Sequence, residues 1–99
     1  MPQFDVHRLA NRPGLVVDCQ SDLFEHLDTR FVIPLSPRDR APPPASRLNP
    51  VFVIDGGDQV LLTQGALTVH RRELGSFVAT LANRRLDIIG AIDILITGV

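Results

Sequence analysis

The chain has 99 residues, of which 44% are hydrophobic and 21% charged, and its formal net charge at pH 7 is −1. This length suits one domain over residues 1–99, and the near-neutral charge excludes a whole-chain attraction to nucleic acid. No apolar run reaches the roughly 18 residues that a membrane-spanning helix needs. The single cysteine, Cys19, excludes an internal disulfide, and together with the lack of a signal peptide it predicts a cytoplasmic protein.

The first third of the chain predicts three β-strands. Alternation of apolar and polar residues indicates a strand over 3–7, and the turn residues 11–14 separate it from a second strand over 15–20. The second strand places Cys19 on its apolar face, which favours a small core residue over a nucleophile. A third strand covers 30–35, where Pro34 predicts an edge position or a bulge, because proline has no N–H to donate.

The connection between the second and third strands, residues 21–29, is polar except for a few apolar side chains. Leu23 and Phe24 are adjacent, and two adjacent side chains of an extended chain point to opposite sides. We therefore expect at least one of them to be exposed.

The middle of the chain combines a long loop with short strands. Residues 36–50 contain five prolines and three arginines without any core periodicity, which predicts a loop inside the domain. Strands are predicted over 51–54 and 60–63, on either side of the hairpin turn 55–58. Residues 67–70 are predicted to form a short final strand. This pattern predicts a small, partly closed β-barrel.

A helix is predicted over residues 84–97, with Asn83 as its N-cap and Gly98 as its stop signal. Helical spacing places one apolar side toward the core, formed by Arg85, Ile88, Ile89, Ile92, Leu95 and Ile96. The outward side holds Asp87, Gly90, Asp93 and Thr97, together with two surplus apolar residues, Leu86 and Ile94. The fold is therefore predicted to be mainly β, with one C-terminal α-helix.

The residues taken one by one predict no active site, cofactor or metal. The three histidines have no ligand spacing to one another or to the cysteine: His7, His26 and His70. The glycine pair 56–57 lacks the lysine and helix of a phosphate-binding loop. Asp87 and Asp93 lie about 120° apart around the helix, as solvated charges do.

Six blocks of sequence carry a family pattern across nearly the whole chain. In order they are Gln-Phe at 3–4, LVVDCQSD at 15–22, RFVIPL at 30–35, Asn-Pro-Val at 49–51, DIIGAID at 87–93 and Gly-Val at 98–99. This pattern resembles the CcdB family, the gyrase-poisoning toxins of type II bacterial toxin–antitoxin systems.

The resemblance implies a homodimer of SH3-like, partly closed antiparallel barrels that acts by binding and is not an enzyme. Its implied partner is the A subunit of DNA gyrase, which such toxins trap on cleaved DNA. It also implies a cognate antitoxin whose disordered C-terminal segment orders on the toxin surface. Neither sequence-specific binding of nucleic acid nor membrane association is implied.

The gyrase-binding residues implied by position are Leu23, Phe24, Asp93, Thr97, Gly98 and Val99. Thr97 stands where the family pattern has a tryptophan, and loss of such an anchor costs about 2–4 kcal/mol at a hot spot. Gyrase poisoning is therefore expected to be weakened, unless gyrase has a reshaped pocket or Phe24 supplies the aromatic contact. A competing interpretation is that Thr97 and Val99 only finish the helix.

Two other functions stay open at this stage. Residues 12–17 resemble the early Arg-Pro strand of MazF-type endoribonucleases, which share the barrel architecture and cut single-stranded RNA. Against this, the eleven residues before Arg12 leave no room for the charged loop of those enzymes, and the chain has no net basic charge. The third possibility is a degenerate family member that binds only antitoxin.

Overall fold

The computed structural model describes residues 2–99, and within them the chain forms seven β-strands and one α-helix. The strands are β1 (Asp5–Leu9), β2 (Leu15–Asp18), β3 (Thr29–Pro37), β4 (Val51–Ile54), β5 (Gly57–Leu61), β6 (Leu67–His70) and β7 (Leu74–Thr80), and the helix is α1 (Arg85–Thr97). Short 3₁₀ turns join several of them. The prediction of a mainly β fold with one C-terminal helix is confirmed.

All strand pairs are antiparallel, in the order β4-β5-β3-β2-β1-β7, and β6 also pairs with β3. Along one edge β3 pairs with β2. Its other edge is shared, because residues 29–32 pair with β6 and residues 35–37 pair with β5. A strand that changes partner along its length curls the sheet, which gives the partly closed barrel that the sequence predicted.

The prediction that Pro34 marks an edge or a bulge was wrong, since β3 lies in the middle of the sheet. Pro34 is paired with Val16 of β2 and falls in the gap between the β6 and β5 pairings on the other edge. Its carbonyl accepts the N–H of Leu62 at 2.9 Å on that same edge. The missing N–H therefore faces the gap, where no strand requires a donor.

Strand β2 is buried on both faces, with the predicted alternation. Val17 and Cys19 belong to the larger apolar cluster, whereas Val16 packs in a smaller cluster with Val32 and Val69. Cys19 is thus a core residue, as predicted. The larger cluster is formed by Phe4, Val6, Val17, Cys19, Ile33, Leu35, Phe52, Ile54, Leu61, Leu81, Ile88 and Ala91.

A fully buried ion pair joins β2 to β3 on the side of the smaller cluster. The Nε and Nη2 atoms of Arg30 donate to Oδ2 of Asp18 at 3.0 and 2.7 Å, and both side chains have zero exposure. Two donors from one guanidinium compensate the carboxylate charge in the interior. Loss of either partner would leave an uncompensated buried charge.

The sequence predicts 67–70 as the last strand, whereas the structure has one more strand, β7, after it. Its pairing with β1 is interrupted by two register shifts, which break the alternation that identifies a strand in sequence. Close packing of β7 against β1 requires a glycine at position 75, because a Cβ there would lie 3.0 Å from the carbonyl oxygen of Arg8. Glycine lets the two backbones approach this closely.

Helix α1 begins differently from the prediction. Asn83 is not the N-cap, since it lies in the 3₁₀ turn Ala82–Arg84 and α1 follows Arg84. Arg84 makes no side-chain cap either. Its Nε donates to Oδ2 of Asp87 at 2.7 Å, and its guanidinium lies 4.7 Å from the ring centre of Phe52. A carboxylate in the first turn also interacts favourably with the helix dipole.

The buried face of α1 is shorter than predicted. Ile88 and Ala91 are fully buried, with Ile89 and Ile92 packed beside them. Arg85 at the start and Leu95 and Ile96 at the end were assigned to the core face but are exposed. A helical wheel gives direction only and does not show how far along the helix the packing continues. No helix in residues 2–99 combines the length and apolarity needed to cross a membrane.

Candidate functional site

The last turn of α1 ends at Gly98 and leaves the final residue exposed. Gly98 ends α1 by adopting the left-handed conformation (φ 74°, ψ 12°), and its N–H donates to the carbonyl of Ile94 at 2.8 Å. Glycine adopts this conformation without the strain that a Cβ would cause. Val99 then leaves the helix direction with 81% of its surface exposed.

The hydroxyl of Thr97 is used within the helix end. It donates to the carbonyl of Asp93 at 2.7 Å and accepts the N–H of Val99 at 3.3 Å. These two hydrogen bonds tie the final residue to the preceding turn. Thr97 therefore orders the terminus and projects no large side chain from it.

Exposed aliphatic side chains surround this terminus. Ile96 is 75% exposed and Leu95 is 46% exposed, beside the exposed Val99. We call residues 95–99 together with Asp93 the C-terminal surface. The sequence prediction missed Leu95 and Ile96; the signal available was that the helix pattern contained more apolar residues than one packed face needs. Clustered exposed aliphatic groups are typical of interaction surfaces.

The second candidate group lies in the loop between β2 and β3, residues 21–28. Its first part is the 3₁₀ turn Asp22–Phe24, which Ser21 caps by accepting the Leu23 N–H on Oγ at 3.2 Å. Leu23 is 81% exposed and Phe24 is 51% exposed. The expectation that at least one of the two is exposed is confirmed, and in fact both are.

Hydrogen bonds to residues outside it hold this 21–28 loop in place. Gln20 joins it to β3, because its Nε2 donates to the carbonyl of Phe24 and its Oε1 accepts the N–H of Phe31, each at 2.9 Å. The carboxylate of Asp22 accepts the backbone N–H of Gln3 at 2.8 Å. The exposed apolar pair therefore sits on a loop with a defined shape.

All six residues predicted to bind gyrase are exposed: Leu23, Phe24, Asp93, Thr97, Gly98 and Val99. Leu23 and Phe24 lie on the 3₁₀ turn between β2 and β3, and the other four lie at the C-terminal end of α1 or just after it. Their role in binding stays a prediction.

The turn between β1 and β2 carries Arg12, the residue on which the nuclease interpretation depends. A cavity of about 160 Å³ is lined by Leu9, Asn11, Arg12 and Glu73. Arg12 offers a cation for phosphate, and Glu73 is engaged elsewhere, because its Oε2 accepts the N–H of His70 at 2.7 Å. The cavity thus combines one cation with one anion and has no second arginine in its lining.

Two further kinds of site could supply chemistry, a nucleophilic cysteine and a metal-binding cluster. Burial, and secondly the negative charge of Asp18, raise the pKa of the Cys19 thiol to about 12, so that it is protonated at neutral pH. Among residues 2–99, no three histidine, cysteine or acidic side chains converge as a metal ion would require.

The partly closed barrel with its terminal helix also occurs in solved structures of other proteins. One similar structure is the Mycobacterium tuberculosis toxin MazF-mt6, with a TM-score of 0.74 and 16% identity over 90% of this chain and 92% of that one. Another is an endoribonuclease in complex with its cognate antitoxin from Mycobacterial species, with a TM-score of 0.69 and 14% identity over 97% of this chain and 94% of that one. At such identities the likeness shows the fold alone.

The family model of the CcdB protein matches residues 3–98. The chain therefore belongs to the CcdB family, the toxins of toxin–antitoxin systems, and the predicted resemblance is confirmed. A comparison with curated proteins found no match.

Proposed function

We propose that this protein is the toxin of a type II toxin–antitoxin system that binds the A subunit of DNA gyrase and traps it on cleaved DNA, without catalysing a reaction. The observation that carries the proposal is the C-terminal surface. Its backbone is ordered by Gly98 and Thr97, while Ile96 and Val99 are 75% and 81% exposed. A family member whose tail is both ordered and apolar has what a binding surface needs.

The proposed poisoning is weaker than the family pattern implies. Thr97 replaces the aromatic anchor, and its hydroxyl is already bonded to the helix end. Burying one aliphatic side chain at an interface contributes about 1.5–3 kcal/mol, the same order as the anchor that is missing. Ile96 and Val99 therefore supply the apolar contact that remains, and affinity depends on them more than on Thr97.

The proposal includes a symmetric homodimer, because a twofold toxin presents the same surface to both halves of a twofold target. Leu86 at the start of α1 is 80% exposed, which supports a further apolar contact on this helix. Sedimentation at micromolar concentration should show a dimer. A monomer there would contradict this part of the proposal.

The proposal also includes a cognate antitoxin with a disordered C-terminal segment that orders on the toxin. Membership of the CcdB family supports it, and so does the similar structure of an endoribonuclease in complex with its cognate antitoxin. Coupled folding and binding suits a labile inhibitor, because ordering occurs only on the partner.

The test combines expression with purified components. Induction in cells should stop growth and break DNA, and co-expression of extra gyrase A subunit should relieve both effects. With purified gyrase, the protein should increase cleaved DNA. Leu23→Ser should reduce this effect. Val53→Ser is the matched control, because Val53 is 71% exposed on the edge strand β4 and belongs to neither group. Equal loss in both variants would contradict a specific role for the 21–28 loop.

An endoribonuclease is the second candidate, supported by Arg12 in the cavity beside β1 and by the presence of an endoribonuclease among the similar structures. Cleavage of single-stranded RNA by the purified protein, abolished by Arg12→Ala, would replace the gyrase proposal. Binding to antitoxin without any effect on gyrase or RNA would identify a degenerate family member.

A further inference from the structure

Arg71, from a distant part of the chain, makes two hydrogen bonds to the 21–28 loop. The backbone N–H of Arg71 donates to the carbonyl of Asp28 at 2.7 Å, and its Nη2 donates to the carbonyl of Glu25 at 2.6 Å. One residue thus holds the loop at two points. A guanidinium-to-carbonyl hydrogen bond is among the stronger ones, because the donor is charged.

The sheet register brings Arg71 to this position. His70 pairs with Thr29 at the start of β3, so the residue after His70 meets the end of the loop. The 3₁₀ turn Arg71–Glu73 is fixed by a capping box, in which His70 Nδ1 accepts the Arg72 N–H at 3.2 Å and Glu73 accepts the His70 N–H. The backbone of Arg71 is therefore held in place by the capping box of its 3₁₀ turn.

The same carbonyl is also approached from the interior. The Nη1 atom of Arg30 lies 3.5 Å from the carbonyl oxygen of Glu25, and Arg30 is anchored by the buried carboxylate of Asp18. The Glu25 carbonyl thus lies between a buried and a surface guanidinium. With Gln20 bonded to Phe24, the loop is held on each side of its exposed apolar pair.

We propose that Arg71 is a positioning residue for Leu23 and Phe24, holding the 21–28 loop in the shape that binds the partner. The inference rests on the proposed function of this apolar pair. A short loop without ladder hydrogen bonds would otherwise have to be ordered at the moment of binding, at a cost in conformational entropy. Together with Gln20 and Arg30, Arg71 removes part of that cost in advance.

The first test measures loop order without any partner. Hydrogen exchange of the Leu23, Phe24 and Leu27 amides should become about tenfold faster in Arg71→Ala, because their bonds lie within the loop. Arg72→Ala is the matched control: it removes the same charge one residue away, and the Arg72 guanidinium makes no hydrogen bond or ion pair to residues 2–99. Arg71→Lys keeps one donor and should restore part of the protection. Unchanged exchange in Arg71→Ala would overturn the proposal.

The second test is a double-mutant cycle on the affinity for the gyrase A subunit. Arg71→Ala should weaken binding about fivefold when Phe24 is present and should have no further effect on a protein that carries both Leu23→Ala and Phe24→Ala. An equal loss in both backgrounds would show a direct contact or a general structural effect and would overturn the positioning role. If the wild-type protein does not bind gyrase A, the proposed function fails, while the exchange comparison still decides whether Arg71 holds the loop.

Discussion

The buried thiol of Cys19 should make the protein lose stability in alkaline solution. Burial, together with the charge of Asp18, raises its pKa from 9.0 to about 12. The folded state therefore binds a proton that the unfolded chain releases. The stabilisation is fully present below pH 9.0 and is lost as the pH rises toward about 12. The Sγ atom lies 3.6 Å from the carbonyl of Val17, to which a protonated thiol donates.

The size of this effect follows from linkage. One proton contributes about 1.4 kcal/mol per pH unit, so the full window contributes about 4 kcal/mol. This is a large share of the roughly 5–15 kcal/mol that stabilises a typical domain. The chain has no tyrosine and no lysine, the other side chains that titrate in this range, so Cys19 is isolated there.

The assay is urea unfolding of the wild type and Cys19→Ala across this pH window at one protein concentration, since dimerisation would otherwise shift the midpoint. The wild-type free energy of unfolding should fall with pH, and that of Cys19→Ala should stay nearly flat. The comparison uses slopes, because removing the sulfur also leaves a small cavity that lowers the variant's stability at every pH. Equal slopes in the two proteins would refute the reasoning.

Three further predictions concern the core and the terminus. Asp18→Asn should lower the free energy of unfolding by about 3–5 kcal/mol, because Arg30 then keeps an uncompensated buried charge. The control is Asp58→Asn in the exposed Arg38–Asp58 pair, which should lower it by less than about 1 kcal/mol. Both values are measured by denaturant unfolding. Deletion of residues 98–99 should abolish toxicity without lowering the unfolding midpoint; a truncated protein that is equally toxic would contradict the proposed surface. Thr97→Trp should increase gyrase-dependent DNA cleavage, and no gain would favour another target or a reshaped pocket.

Features encoded by neighbouring residues could be predicted from the sequence. The alternation around Val17, the exposed Leu23–Phe24 pair and the helix end at Gly98 depend on local geometry, and the structure has each of them. Strand β7 was missed because register shifts against β1 remove its alternation. The exposure of Ile96 was missed because a helical wheel contains no information on where the partner surface ends.

Arg71, which contacts the loop from a distant part of the chain, had no sequence signal. Arg71 is separated from Glu25 by 46 positions, and only the pairing of β6 with β3 brings them together. Sequence motifs identify residues that contact partners more readily than residues that hold them, because the supporting hydrogen bonds end on backbone carbonyls of any residue type. The contact of Arg71 with the loop could therefore be found only in the structure.

The distribution of polar and apolar groups in this barrel is what the proposed binding function requires. The fully buried charged pair, Asp18 and Arg30, joins β2 to β3 and also contacts the 21–28 loop. The exposed apolar side chains Leu23, Ile96 and Val99 stand on backbone whose ends are capped or bonded. A surface of this kind can bury apolar area on a partner with little reordering, so affinity does not depend on one aromatic anchor alone. Loss of the tryptophan would then reduce gyrase binding without eliminating the site.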